Sequence, residues 1–254
     1  MEWVELYTLL VMLIKLMNNS LNCSIVIPCY NEAKNLPMLF KKCEEIYSTN
    51  QNVEIVIVNN GSTDDSSIVI DELLIEFPFI KKVNVKINKG YGYGILEGLK
   101  ASKGEILGWT HADMQTDLGD ALKGLSMFHN ILKPEELFVK GKRYGRPLSD
   151  VFFTVGMSIF ETLLLKKMMW DINAQPTLFH RNFYLGWKNP PFDFSLDLYA
   201  YFMAKKKEYK VKRFPVLFDR RIHGVSSWNS GIISKYYFIK RTLLFSFGLN
   251  RRIR

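Results

Sequence analysis

Asp113 and Gln115 close a run that begins apolar at Ile106-Leu-Gly-Trp109 and turns polar through Thr110-His-Ala-Asp-Met-Gln115. That order describes a buried strand delivering a carboxylate and an amide oxygen to the carboxyl edge of a sheet, where open α/β folds bind ligands. Two hard oxygen donors on a rigid strand end suit Mg2+ or Mn2+ held against a diphosphate, since such ions keep water and phosphate oxygens as their other ligands. An aspartate after a strand is also a common helix cap, here ahead of a helix expected over residues 116–129. His111 can ligate a transition metal, hydrogen-bond a sugar or diphosphate, or simply fill the site.

These groups need a scaffold, and the flanking sequence supplies one. Residues 23–32, Cys-Ser-Ile-Val-Ile-Pro-Cys-Tyr-Asn-Glu, read as a short strand entering a polar loop. A helix over 34–47 follows, with Leu36, Leu39, Phe40, Cys43 and Ile46 at helical spacing. Residues 53–65 form a second strand ending in a turn-rich loop, and a helix is expected over 66–77. A third strand is expected over 83–87, a third helix opened by residues 88–94 and running to about Ser102, a fourth strand over 105–110 and a later helix over 150–167. Strands alternating with helices imply parallel βαβ units in a doubly wound sheet. Gly90, Gly92 and Gly94 give G-x-G-x-G after the third strand, which is neither the spacing nor the place of a dinucleotide fingerprint. Glycines opening a helix can still bring backbone close to a phosphate or sugar.

Four ordered segments, Ile25-Val-Ile-Pro-Cys-Tyr-Asn-Glu32, Val58-Asn-Asn-Gly-Ser-Thr-Asp64, Asn88-Lys-Gly-Tyr-Gly92 and His111-Ala-Asp-Met-Gln115, are continued by Gly141-Lys-Arg143, Asp171 and Arg221-Ile-His-Gly-Val-Ser226. Together they resemble family 2 (GT-A fold) glycosyltransferases, in particular the dolichol-phosphate mannosyltransferase-like branch. The resemblance implies an α/β fold of GT-A type: a single domain over residues 22–228 with a doubly wound, mostly parallel nucleotide-binding sheet flanked by helices. It implies transfer of a sugar from a nucleoside diphosphate, with Asp113 as metal ligand, Gln115 beside it, and the ion neutralising the departing diphosphate. Pro28, Tyr30 and Glu32 match the nucleotide-binding loop, Tyr30 lining the base pocket and Glu32 accepting from ribose or base. Gly90 belongs to the same nucleotide-side set. Asn59 and Asn60 stand where relatives often carry two aspartates; an amide both donates and accepts, so base preference is left open. His111 stands in place of the first carboxylate of the branch's Asp-x-Asp. Arg143 and Arg221 match positions that face phosphates, a task suited to a planar, permanently charged fork. The branch's further basic residue before the helix over 150–167 has no aligned counterpart, and Arg146 is the nearest substitute. Asp197 stands where many family 2 enzymes place a catalytic carboxylate. With Asp113 and Arg221 it completes the expected catalytic set. A hydroxyl acceptor needs it as general base, a phosphate acceptor does not, and the plain alternative is a helix-face aspartate paired with Lys205 or Lys206.

At 254 residues the chain can enclose one sizeable core. Cys23, Cys29 and Cys43 are an odd number without metal spacing, which fits a reducing compartment and core packing. The formal charge of +9 is concentrated: residues 220–254 carry eight Lys or Arg and no Asp or Glu, hence +8 of the total. Tyr236, Ile239, Leu243 and Phe247 share a helical face there. Residues 229–254 therefore read as a basic amphipathic helix and tail for an anionic membrane surface, or as a helix packed on the core with a solvated end. Nucleic acid is not the expected partner. Residues 6–17 are apolar apart from Thr8 and Lys15 but too short to span a bilayer, so residues 1–21 read as an interfacial helix or an upstream extension. No later segment reaches about 18 uninterrupted apolar residues, so no transmembrane tail is expected. The expectation is a cytoplasmic enzyme, peripheral on the inner face of the cell membrane. It is an inverting, metal-assisted glycosyltransferase using Mg2+ or Mn2+ and a nucleotide-sugar donor, with a lipid-linked or glycan acceptor. The nearest alternative is a polyprenyl-phosphate monosaccharide synthase. From another class, His111 and the Asn59-Asn60 pair motivate a nucleotide-sugar-binding protein without turnover.

Overall fold

The computed structural model describes residues 21–129, 131–219, 221 and 232–251. Its strands are β1 (Cys23–Cys29), β2 (Val53–Asn60), β3 (Ile80–Val85), β4 (Ile106–Trp109), β5 (Leu137–Tyr144), β6 (Thr177–His180) and β7 (Lys210–Leu217). Its helices are α1 (Leu36–Thr49), α2 (Ser66–Glu76), α3 (Tyr91–Ala101), α4 (Asp120–Ser126), α5 (Leu148–Leu165), α6 (Arg181–Leu185), α7 (Ser195–Lys206) and α8 (Ile232–Arg251). The strands make one sheet in the order β3-β2-β1-β4-β6-β5-β7. β1 to β4 run parallel, β6 lies antiparallel to both β4 and β5, and β5 and β7 are parallel again. The expected doubly wound, mostly parallel sheet with flanking helices is present as one domain.

Side chains alternate across a strand, and both faces of the central strands are covered. Ile25 and Ile27 of β1 pack with Leu39, Phe40 and Ile70 on one side, while Val26 packs with Ile95, Leu99 and Trp109 on the other. Burial on both faces explains why β1 and β2 read as continuous apolar runs rather than as alternating ones.

The structure corrects several expected boundaries. The third strand is Ile80–Val85, not 83–87, and Ile87 is exposed. Lys81 and Lys82 read as loop, yet β3 is the sheet edge, where charged side chains are tolerated and discourage further pairing; Lys82 pairs with Asp71 at 2.8 Å. The helix expected over 116–129 shrinks to α4. Asp117 and Gly119 make a turn before it, with Asp117 Oδ1 accepting from the Gly119 N–H at 2.9 Å, so Asp113 caps no helix. α5 begins and ends two residues earlier than expected, where Lys166 takes a left-handed φ of 53°. The expected interfacial segment over 6–17, Gly224, Ser226 and the side chain of Tyr236 lie outside the described residues. On α8 the face packed inward passes through Thr242, Ser246 and Leu249, leaving Phe247 of the expected stripe half exposed.

Glu161 of α5 fastens that face. It is fully buried against Ser246, whose Oγ lies 2.6 Å from Glu161 Oε1 and 2.8 Å from the Thr242 carbonyl. A serine has one proton to donate. Both contacts are satisfied together when Glu161 is protonated and donates to Ser246, which in turn donates to Thr242. Burial accordingly pushes the Glu161 carboxyl up to about 7, against the lowering effect of Ser246. A carboxyl whose folded value lies above its unfolded value stabilises the fold fully below about 4.5, and that contribution is lost as pH rises to about 7. Glu161→Gln keeps a donor to Ser246 and cannot ionise. It should melt several degrees above wild type at pH 8 and level with it near pH 4.5, a difference of on the order of 3 kcal/mol at most. Thermal unfolding of both proteins across that range checks it.

Candidate active site

Strand order reverses between β1 and β4, and the loops leaving their carboxyl ends frame the crevice where such sheets bind ligands. A cleft of about 600 Å³ opens there. Pro28, Tyr30, Glu32, Asn60, Gly90, His111, Asp113, Gln115, Arg143, Asp197 and Arg221 all line it. Asn59 is not among the lining residues. Adjacent strand residues face opposite ways, and Asn59 donates to Asn84 Oδ1 at 2.7 Å and accepts from the Ser62 N–H at 3.1 Å, bracing the loop after β2. Asn60 instead donates to the Gly90 carbonyl at 3.0 Å. A Cβ on Gly94 would lie 2.7 Å from the Asn60 side chain, so only glycine lets α3 approach this closely. Gly90 has a φ of 119° and abuts the Phe192 carbonyl. The close approach these glycines permit is thus to the chain's own Asn60 and Phe192, with Gly90 also at the cleft wall.

The β1 and β4 loops converge on Arg221. Met114 takes a left-handed φ of 58°, folding the chain so that Asp113 Oδ1 accepts from the Gln115 N–H at 3.1 Å. Asp113 Oδ2 is left for Arg221, which donates to it at 2.7 Å. Arg221 Nε donates to Gln115 Oε1 at 3.1 Å, and its Nη1 lies 3.7 Å from Glu32 Oε1. Gln115 also donates through Nε2 to the Asp219 carbonyl at 3.1 Å, tying down the segment that carries Arg221. Burial raises the pKa of Glu32, opposed by its hydrogen bond from Asn35 and by Arg221. His111 lines the cleft with its ring 5.6 Å from that of Tyr91, and burial lowers its pKa, favouring the neutral imidazole.

Among the described residues no three His, Cys, Asp or Glu side chains converge as a metal cage. The carboxylates of Asp113 and Glu32 and the amide oxygen of Gln115 are hard donors already gathered around a positive charge, the Arg221 guanidinium. That set fits Mg2+ or Mn2+ when substrate phosphates complete the coordination.

Deeper in the cleft, Asp197 sits in the first turn of α7. It is not the solvated partner of Lys205 or Lys206. It is buried, and its Oδ1 accepts from Gln175 Nε2 at 2.8 Å and Trp109 Nε1 at 3.3 Å, with Lys140 Nζ at 3.4 Å. Its Oδ2 is buried without a hydrogen-bond partner. Lys140 also donates to Thr177 Oγ1 at 2.8 Å. Burial pulls the Lys140 ammonium down to about 8, although Asp197 acts to raise it.

A third cluster occupies the wall toward α5. Arg143 clamps Asp171 through its backbone N–H at 2.8 Å and through Nε and Nη2 at 2.9 and 2.5 Å. Arg146 and Arg213 approach the same carboxylate at 3.7 and 3.8 Å. Burial would raise the Asp171 pKa, but Arg143 and then Arg146 hold it below the ordinary carboxylate range. Three guanidiniums thus face Asp171, with Asp150 also on the cleft wall, so cations exceed carboxylates. Arg146 donates to Thr154 at 2.8 Å, yet its Nε is buried without a partner.

Sequence reasoning missed Lys140, Gln175 and the indole of Trp109 as partners of Asp197. One signal was present: Lys140 is a lone cation in the apolar run Leu137-Phe-Val-Lys-Gly141, where a buried charge needs a partner. Trp187 packs against Trp109, Phe179, Phe183 and Tyr199 in the aromatic core.

The family model described as Glycosyl transferase family 2 matches residues 24–209. The dolichyl-phosphate beta-glucosyltransferase of Trichomonas vaginalis is 35% identical over 107 residues, covering 40% of this chain and 33% of that protein. The undecaprenyl-phosphate 4-deoxy-4-formamido-L-arabinose transferase of Pseudomonas savastanoi pv. phaseolicola is 37% identical over 95 residues, covering 36% of this chain and 28% of that protein. The matched stretches thus span about a third or less of those relatives. Among solved structures, glucosyl-3-phosphoglycerate synthase from Mycobacterium tuberculosis, in complex with Mn2+, uridine diphosphate and glucosyl-3-phosphoglycerate, superposes with a TM-score of 0.65. It is 15% identical, over 90% of this chain and 81% of that one, a likeness of fold.

Proposed function

The chain belongs to glycosyl transferase family 2, and from that premise we propose that it moves a sugar from a nucleoside-diphosphate donor to the phosphate of a polyprenyl carrier. The observation that carries the acceptor is the surplus of guanidinium around Asp171, where Arg146 keeps a buried, unpartnered Nε at the cleft wall. A phosphate monoester brings the missing negative charge, and guanidiniums bind it with short charge-assisted bonds. Dolichyl phosphate and undecaprenyl phosphate in the names of the relatives fit the same class.

In this reading the donor lies across the β1 and β4 loops, its base against Tyr30 and its diphosphate toward Asp113 and Arg221. Arg221, now paired with Asp113, turns its guanidinium to the departing diphosphate and stabilises the charge that develops there. Asp113, with Gln115 beside it, would hold Mg2+ or Mn2+, which would supply Lewis-acid neutralisation of that leaving group. Arg143 and Arg146 hold the acceptor phosphate on the opposite side of the sugar, so attack inverts the anomeric carbon. The phosphate is already ionised and needs no base.

A hydroxyl acceptor is the second reading, favoured by the unpartnered Oδ2 of Asp197, a carboxylate oxygen placed to take a proton. Paired assays separate the two. Labelled nucleotide sugars are offered with a short-chain polyprenyl phosphate or with the matching polyprenol. Product should form with the phosphate alone, and Arg146→Ala should raise the KM for it by about tenfold or more with the donor KM unchanged. Product with the alcohol alone would sink the phosphate reading. Donor binding without turnover on any acceptor would favour the binding-only alternative.

A further inference from the structure

Among the described residues, Oδ2 of Asp197, Oγ of Ser195 and Oε1 of Gln175 are buried without a hydrogen-bond partner. Buried polar atoms are nearly always paired, so orphans gathered in one place call for a ligand. Asp197 and Ser195 both line the cleft from the first turn of α7. Gln175 lies one hydrogen bond behind, donating to Asp197 at 2.8 Å and to the hydroxyl of Tyr91, a cleft residue, at 3.3 Å. Three donors, from Gln175, Trp109 and Lys140, converge on Oδ1 of Asp197 and leave Oδ2 aside. One oxygen of the carboxylate is clamped and the other is held in reserve.

Lys140 is fully buried and is not among the residues that line the cleft. Its ammonium reaches Thr177 and Asp197, so whatever it does for a ligand it does through Asp197. A cation beside a buried carboxylate balances its charge and lets the second oxygen remain an acceptor in a dry site. The chemistry of the occupant follows. A carboxylate oxygen only accepts, and a serine hydroxyl both donates and accepts. Ionised phosphate oxygens only accept as well, so phosphate does not fit, whereas a hydroxyl does. A uronic acid would set like charges together at Asp197. An amino sugar would bury an ammonium against a carboxylate that Lys140 already balances, with no charge left to offset its desolvation. The ring of His111 feels Asp113, Arg221, Arg143 and Asp197 together. This part of the cleft thus adjoins both arginine sites, as a sugar must when its leaving group is held at one and its attacking group at the other.

We propose that Asp197 Oδ2 and Ser195 Oγ hold two hydroxyls of an uncharged donor sugar, and that Lys140 and Gln175 are positioning residues that keep Asp197 Oδ2 an acceptor. The proposal rests on the nucleotide-sugar donor of the reading above and not on its acceptor. Donor binding is therefore measured by calorimetry with Mn2+ and no acceptor present. The probes are neutral UDP- and GDP-hexoses. The tightest is compared with analogues in which one hydroxyl at a time is replaced by fluorine, which keeps the size but cannot donate, and with its uronic-acid and amino-sugar counterparts. On wild type, two of the fluorinated analogues and both charged sugars should bind about tenfold weaker than the parent. Ser195→Ala should relax one fluorine penalty to below about threefold. Lys140→Met should relax the other, because a carboxyl without its counter-charge takes up a proton and tolerates fluorine. The Lys140→Met, Asp197→Asn double variant should do the same and carries the test where the single variant does not fold. A purely structural role for Lys140 would weaken parent and analogue alike and would overturn its positioning role. Fluorine tolerated at every position on wild type, penalties unchanged in the variants, or a charged sugar bound tighter than every neutral one would each overturn the sugar site while leaving the transfer reaction standing. Failure to bind any nucleotide sugar would overturn both.

Discussion

Asp113→Asn should lower sugar transfer by roughly 10³-fold and remove the metal dependence of nucleotide binding, with the fold intact. The substitution changes charge and almost nothing else. Asn keeps an Oδ1 to accept from the Gln115 N–H, so the turn at Met114 survives. What disappears is the anionic oxygen now 2.7 Å from Arg221. That pair is partly exposed, so its loss should cost stability no more than about 1 kcal/mol. The effect on transfer is larger because, in the proposed reaction, the developing charge on the leaving diphosphate would need several kcal/mol of stabilisation from a cation that Asp113 would position. Initial rates over a Mn2+ titration, with nucleotide affinity measured in parallel, check both parts. Transfer at wild-type level in Asp113→Asn would remove Asp113 from the site.

Arg221 offers an internal comparison. Its guanidinium bridges Asp113, Gln115 and Glu32 as a cation would. If it changes partners from carboxylate to diphosphate as the donor enters, Arg221→Lys should bind donor weakly, because an ammonium lacks the fork that reaches two oxygens at once.

The part of this site that was legible in the sequence is the part built from strand ends. Pro28 to Glu32 and Thr110 to Gln115 each follow an apolar run, and a parallel strand puts the next few residues at the carboxyl edge whatever the rest of the chain does. Asn59 and Asn60 show the limit of that rule. Both follow β2, but alternation sends Asn60 to the cleft and Asn59 to Asn84, a distinction that needs the register of Asn59 beside Asn84 on β3. The register was hidden because Lys81 and Lys82, on an edge strand, look like loop. Contacts at long separation left one trace, the lone Lys140 in an apolar run, which calls for a partner without saying which. Lys140, Gln175 and Trp109 come from three distant segments to one oxygen of Asp197. Periodicity places a side chain on a face but does not say which face it meets.

Asp197→Asn should fold at pH 8 and fail progressively as the pH falls toward 6, and this dictates how the acceptor question must be asked. The substitution removes the counter-charge of Lys140, and stripping one partner from a buried pair typically costs about 3–5 kcal/mol. Lys140 has an escape that most buried lysines lack. Burial already holds it near 8, so without Asp197 it sheds its proton at modest cost in mildly alkaline buffer. The sign follows from linkage: a lysine neutral in the folded state and charged in the unfolded state makes stability rise with pH, by about 1.4 kcal/mol per unit. Melting temperature against pH should therefore climb more steeply in Asp197→Asn than in wild type between 6 and 8. The Lys140→Met, Asp197→Asn double variant should lose that slope, because no buried charge remains to be shed. Parallel slopes in wild type and Asp197→Asn would mean that Lys140 and Asp197 are not coupled. The double variant is then the protein in which to measure chemistry. If the acceptor is a phosphate, single-turnover transfer should fall by roughly tenfold at most, the loss expected from one missing charged contact. If Asp197 is the base for a hydroxyl, the fall should be on the order of 10²–10⁴ with donor affinity unchanged. A loss in the larger range would return Asp197 to the mechanism and leave Arg143 and Arg146 without an acceptor phosphate to bind.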